Sequence, residues 1–145
     1  MAVVSCRVEA VAADDIGGVE AVRPLIREYA DVLHSRGVET VVEEDVKDPH
    51  MHAKDGIALL LAWCDDCPAG CLVLRRHDAA TVELKRLFVT SRLRGNAVGK
   101  SLVVAALEVA KSAGFTRAVL ETLPWMERAN GLYARLGFLS IPPYR

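Results

Sequence analysis

The stretch from Val82 to Lys100, VELKRLFVTSRLRGNAVGK, constrains this chain more than any other. It reads as a strand, a turn, and a glycine-bearing loop that opens a helix. Val82 and Leu84 are apolar while Glu83 and Lys85 are polar, the period-two pattern of a half-buried strand. Leu87 and Val89 continue the apolar series one residue out of phase. Such a slip exchanges the two faces unless an extra residue is absorbed, which predicts a bulge near Lys85-Arg86. A bulge bends the strand away from its neighbour and leaves backbone groups open to a ligand. A strand buried on both faces, with no bulge, fits the periodicity equally well.

The loop that follows is Arg92-Leu93-Arg94-Gly95-Asn96-Ala97-Val98-Gly99-Lys100. Its glycines permit tight turns, and the helix predicted from Val98 turns its N–H groups and positive dipole end toward the loop. Arg92, Arg94 and Lys100 add full positive charges. Together these make a pocket for phosphate groups, with a basic solvated connection as the plain alternative. Neither standard nucleotide fingerprint is present. Gly99-Lys100-Ser101 imitates the Walker ending, but Gly95 stands one residue too near.

Arg94-x-x-Ala97-x-Gly99 resembles the Arg/Gln-x-x-Gly-x-Gly/Ala signature of the GNAT superfamily of acyl-CoA-dependent N-acetyltransferases. The upstream ELKRLFV and the downstream Leu132-Tyr133-Ala134-Arg135-Leu136-Gly137-Phe138 resemble the strand and the LYxxLGF segment of the same superfamily. The likeness runs from about residue 57 to residue 143, with its motifs in the right order. Ala97 departs from the pattern by standing where the first signature glycine is usual. Its methyl group crowds a bound pyrophosphate or opposes a positive φ.

At 145 residues, the chain fits a single domain spanning 1–145 with a proper core. Eighteen basic against nineteen acidic residues leave a net charge of −1, which gives no general attraction to nucleic acid. The charge is uneven: −7 over residues 1–82 and +6 over residues 83–145. A basic second half suits an anionic cofactor, and an acidic first half suits a cationic substrate. No signal-peptide pattern opens the chain and no apolar run reaches membrane length, so a cytoplasmic protein that does not engage a membrane is expected. Cys64-x2-Cys67-x3-Cys71 suggests soft metal ligands or a redox pair, but a second CxxC is missing. Asp65 to Gly70 reads instead as a hairpin turn that brings Cys64 and Cys71 together, with both thiols reduced and no metal bound.

In chain order, Val3 to Val8 is a first strand. A helix follows with Val22, Leu25, Ile26, Tyr29, Val32 and Leu33 on one face and Pro24 in its first turn or at a kink. The segment Glu39 to Lys54, with Glu43, Glu44, Asp45, Asp48, His50 and His52, reads as a solvated short helix and loop; an acidic mouth for an amine is the alternative. Ile57 to Trp63 is a buried central strand, and Cys71 to Arg75 pairs with it. Val98 to Ala113 is a helix, Arg117 to Glu121 a strand, and Pro124 opens a last helix that Gly137 closes. With these elements, the resemblance implies an α/β fold class with a mixed, mostly antiparallel sheet of about six strands. A parallel pair splays at its centre and helices cover both faces.

The resemblance implies that acetyl-CoA enters between the parallel strands, its pantetheine arm lying as an added strand against Leu87, Phe88 and Val89. It implies that the loop and first helical turn (Arg94, Gly95, Asn96, Ala97, Val98, Gly99, Lys100 and Ser101) hold the pyrophosphate. Asn130, one turn before Tyr133, is the candidate to bond the pantetheine amide, although the family's asparagine often stands one turn earlier still, where this chain has Met126. It places Tyr133 as the general acid at the CoA sulfur. A lysine-like amine is neutral about one time in 2500 at pH 7, so a base is useful. Glu83 on the splayed strand is the first candidate; Glu121 or a water is the alternative. The acceptor is a primary amine of a small molecule or a protein. After Phe138 little remains for the family's final hairpin, which suggests an open sheet edge covered in a homodimer. A non-catalytic acyl-CoA-binding module and a cysteine-cluster metal or redox protein are the competing classes.

Overall fold

In the computed structural model, residues 5–12, 14–38, 57–95 and 97–144 are described. Their strands are β1 (Cys6–Ala10), β2 (Ala58–Cys64), β3 (Cys67–Arg76), β4 (Thr81–Val89) and β5 (Arg117–Leu120), and their helices are α1 (Ile16–Ser35), α2 (Val98–Ser112) and α3 (Glu127–Arg135). The five strands lie in the order β1-β2-β3-β4-β5. The first four pair antiparallel, and β4 pairs parallel to β5 through the α2 crossover. The mixed sheet is as expected, with five strands among the described residues rather than about six. The segment after α3 forms no strand there.

Alternation along the strands divides the core in two. Leu60, Leu72, Leu74, Val82 and Leu84 meet Leu102, Val103 and Ala106 of α2 on one face. Leu59, Leu61, Val73 and Phe88 meet Val22, Leu25, Ile26 and Leu33 of α1 on the other. Because β2 and β3 present apolar side chains to both layers, they read as continuous apolar runs. No helix among the described residues is long and apolar enough to cross a membrane.

Strand β1 runs to Ala10 rather than Val8, with Val3 and Val4 outside the described residues, and two helix starts also differ from expectation. Helix α1 starts at Ile16, where Asp15 caps it by accepting from the Gly18 N–H at 3.0 Å, so Pro24 lies inside the helix. Helix α3 starts at Glu127 rather than Pro124. The Asn130 side-chain amide donates to the Leu123 carbonyl at 3.0 Å and holds the preceding four residues in a turn.

The cysteines also differ. The β2–β3 turn is only Asp65-Asp66, with φ 48° and 64°, a conformation that matches the strand twist of a two-residue hairpin. Strand β3 therefore begins at Cys67, which stands opposite Cys64, while Cys71 stands opposite Leu61. Cys64 does not meet Cys71. It is disulfide-bonded to Cys6, its antiparallel partner on β1, so the expectation of reduced thiols fails for this residue. Cys67 is an exposed thiol and Cys71 a buried one. No group of three or more metal-binding side chains occurs among the described residues.

Candidate active site

The site begins with a broken ladder. Strand β4 keeps register with β3 up to Val73↔Lys85 and resumes at Cys71↔Phe88, so two residues of β4 face one of β3. The predicted bulge is therefore present, and Arg86 carries it at φ 57°. A bulge removes backbone groups from the ladder; the buried Cys71 thiol lies 3.5 Å from the Arg86 carbonyl and donates to it. On its other edge β4 pairs with β5 only from Thr81↔Arg117 to Leu84↔Leu120. Beyond Leu84 the parallel strands separate, which opens the slot expected from the sequence.

A cleft of about 990 Å³ occupies this splay. Lys85 and Arg86 enter it from β4, Glu121 and Thr122 from the end of β5, Tyr29 and Leu33 from α1. Glu83 and Tyr133, the predicted base and acid, both line it, as does Asn130. The fold brings Glu83 and Tyr133 together in one space across 50 positions of sequence, through α2, β5 and the connecting loops. Glu83 is only 6% exposed and accepts a hydrogen bond from the Tyr144 hydroxyl. Glu121, the other candidate base, is exposed.

Tyr133 is half-buried, its ring meeting Phe138 edge-on at 5.6 Å. Burial first, and then the neighbouring Tyr29, push its phenol up to about 12. It is therefore a neutral donor at neutral pH. Asn130 lies in the cleft with its amide engaged: it donates to Leu123 and accepts from Thr122 Oγ1 at 2.7 Å.

The predicted phosphate loop sits at the open end of β4. Leu87 and Val89 are half-buried toward the α2 layer, while Phe88 points to the α1 layer and stacks on Tyr29 at 5.5 Å. Arg94 turns back on the strand: Nε donates to the Val89 carbonyl at 3.1 Å and its guanidinium lies over Phe88 at 5.6 Å. Asn96 lies outside the described residues, as do Glu43, Glu44, Asp45, Asp48, His50 and His52.

Ala97 is the N-cap of α2 with φ 60° and ψ 20°, so the methyl group does not prevent the left-handed turn. It does make the turn costly, since a Cβ in this region opposes it by about 1–2 kcal/mol. We expect Ala97→Gly to raise unfolding free energy by roughly 1 kcal/mol in urea titration, because glycine relieves the clash but adds freedom to the unfolded chain. Val98, Gly99 and Lys100 form the first turn of α2, whose N–H groups have no partners within the helix. Ser101 Oγ donates to the Ala97 carbonyl at 3.0 Å and secures the cap. A Cβ at Gly99 would meet Leu132 of α3 at 3.4 Å, an ordinary van der Waals contact. This cradle of backbone donors beside a slot in the sheet fits an extended ligand with a phosphate end.

Several groups at the site had no readable signal. Glu28 of α1 accepts from Thr90 Oγ1 at 2.8 Å and from the Ser91 N–H at 3.2 Å. It ties the end of β4, and hence the start of the loop, to α1. Tyr144 likewise enters through tertiary packing, and Tyr29, legible only as part of the apolar face of α1, reaches the cleft in the same way.

Residues 19–138 match the sequence model of the acetyltransferase (GNAT) family. An uncharacterized N-acetyltransferase of Schizosaccharomyces pombe is 36% identical over 126 residues, covering 83% of this chain and 76% of the relative. Human N-acetylaspartate synthetase is 31% identical over 117 residues, covering 80% of this chain and 37% of the relative. The chain spans less than half the length of several curated relatives that it matches. Among solved structures, the PaiA N-acetyltransferase of Thermoplasma acidophilum in complex with coenzyme A superposes with a TM-score of 0.72 at 19% identity, covering 93% of this chain and 90% of that one. A splayed parallel pair, a helix N-terminus beside it and a family match over most of its length agree: this chain belongs to the acetyltransferase (GNAT) family.

Proposed function

We propose that the protein transfers an acetyl group from acetyl-CoA to a primary amine by direct attack, with Tyr133 as general acid and Glu83 as base. The observation that carries this reading is the cleft itself, where a buried carboxylate and a neutral phenol share the space between β4 and β5. Bound acetyl-CoA supplies an activated thioester carbonyl. The first turn of α2 meets its phosphates with backbone donors and Arg94 and Lys100 with positive charge, while Leu87, Phe88 and Val89 offer the strand edge. Asn130 lines the cleft and meets the amide of the arm only with capacity left over from its bonds to Thr122 and Leu123.

Glu83 takes the proton that an ammonium must lose before it attacks, a step worth roughly 4–5 kcal/mol at pH 7 for a lysine-like amine. Tyr133 then acts at the departing sulfur. Its phenol near pKa 12 is a far weaker acid than a thiol near 8.5, so complete transfer runs uphill by roughly 5 kcal/mol. The useful act is a hydrogen bond held on the developing thiolate rather than early release of the proton.

The first test is thermal shift with acetyl-CoA against ATP and NAD. Ligand at about 100 times its dissociation constant adds roughly 2.7 kcal/mol, a shift of several degrees. CoA release across a panel of primary amines then tests turnover. A selective shift with no release for any amine favours the second reading, a non-catalytic acyl-CoA-binding module, for which Ala97 in its costly conformation is the supporting observation. A homodimer belongs to the same proposal. Strand β5 is an edge of the described sheet, and Leu139 and Ile141 beyond α3 are exposed. Light scattering at micromolar concentration is expected to give twice the chain mass, and a monomer there removes the dimer.

A further inference from the structure

We propose that Tyr144 is a positioning residue for the acceptor reaction, its hydroxyl holding the Glu83 carboxylate ionised and oriented in the cleft. The inference rests on the reading of Glu83 as the base. Tyr144 reaches Glu83 across 61 residues of sequence and donates to Oε2. Glu83 is nearly closed to solvent, so water does little to steady its charge, and a fixed donor takes that part. The Tyr144 ring is itself held, meeting His77 edge-on at 5.1 Å. One oxygen anchored in this way fixes the plane of the carboxylate toward the cleft that both residues line.

The charged and titratable groups around the pair come from every neighbouring element. Arg75 of β3 stands opposite Glu83, and His77 follows that strand. Lys85 is two residues along β4 on the same face. Arg117 of β5 and Glu121 just beyond its end line the cleft, with Tyr29 from α1 and Tyr133 from α3. The Tyr144 phenol is raised above its ordinary range, by burial and then by Glu121, so it remains a donor while Glu83 titrates. Of the two carboxylates near it, its one proton goes to the buried one.

Removing this donor disfavours the ionised carboxylate and leaves the ring in place. In Tyr144→Phe the protonation midpoint of Glu83 should rise by about one pH unit, the size of a hydrogen bond to a buried charge. The measurement is a carbon-13 titration of the full chain labelled at the glutamate carboxyl carbons, with Glu83 assigned by the resonance missing in Glu83→Gln. An unchanged acetyl-CoA thermal shift verifies that Tyr144→Phe is folded. CoA release with the best amine of the panel, measured against pH, is the second readout. Its acid limb should move upward with the midpoint, with the alkaline rate kept. A Glu83 midpoint that does not move in Tyr144→Phe overturns the inference, whatever the rates do. A midpoint that moves while Glu83→Gln keeps the wild-type rate and acid limb overturns the base reading instead, and Tyr144 loses its place in the reaction with it.

Discussion

Tyr133→Phe is expected to lower kcat for CoA release by about 100-fold and to leave the acetyl-CoA thermal shift unchanged. The phenol hydroxyl is the only group removed, and the ring still packs on Phe138. A single donor aimed at developing charge in a water-poor site is worth roughly 10²–10³ in rate. Binding of the cofactor rests on the strand edge and the α2 cradle, which the substitution does not touch. Because burial raises the phenol to about 12, no alkaline loss of rate from this group is expected below pH 10. The sign for stability is the same. The folded chain holds this proton more tightly than the unfolded one, so its contribution is intact below pH 10 and is lost as pH rises through about 12. A Tyr133→Phe enzyme within threefold of the wild-type rate removes Tyr133 from the mechanism.

Leu102→Ala is expected to cost about 2–5 kcal/mol of unfolding free energy, read as a lower urea midpoint with an unchanged slope. Leu102 has no exposed surface and lies where α2 crosses the sheet. It also packs against Gly70: a Cβ added there would stand 3.1 Å from Leu102 Cδ1 and 2.7 Å from the Phe88 carbonyl oxygen. The glycine lets β3 and β4 approach beside the bulge, and the leucine packs into the hollow that results. Truncation leaves a void in a rigid layer, and neighbouring side chains close it only in part. Against a total stability of about 5–15 kcal/mol, this is a large fraction. Gly70→Ala in the Leu102→Ala background should not restore stability, because the nearer clash is with backbone. A loss below 1 kcal/mol for Leu102→Ala would mean that α2 is held to the sheet mainly by other contacts.

Much of the fold was legible because its signals are local. Alternation of Val82 and Leu84, then its slip at Leu87 and Val89, left a bulge and a bulge-free strand equally open, and the structure has the bulge, carried by Arg86. Gly114 and Gly137, at φ 92° and 94°, stop helices where the sequence suggested. The LYxxLGF segment located Tyr133, and the strand pattern located Glu83; packing brought both into one cleft. Helix starts were read less well, because Asp15 and the Asn130–Leu123 bond act through single side chains rather than through a repeating pattern.

The sequence by itself determined the succession of strands and helices, the parallel pair with its slip, and the glycine-bearing turn at a helix N-terminus. Those features follow from periodicity and backbone preference within a few neighbouring residues. Tertiary structure alone decided which side chains meet at long range. Cys6 pairs with Cys64 across 58 residues, Glu28 anchors Thr90 across 62, and Tyr144 meets Glu83 across 61. None of these residues carries a local signature of its partner. Each contact depends on strand register and layer packing, where shifting a strand by one residue would turn every side chain to the opposite face.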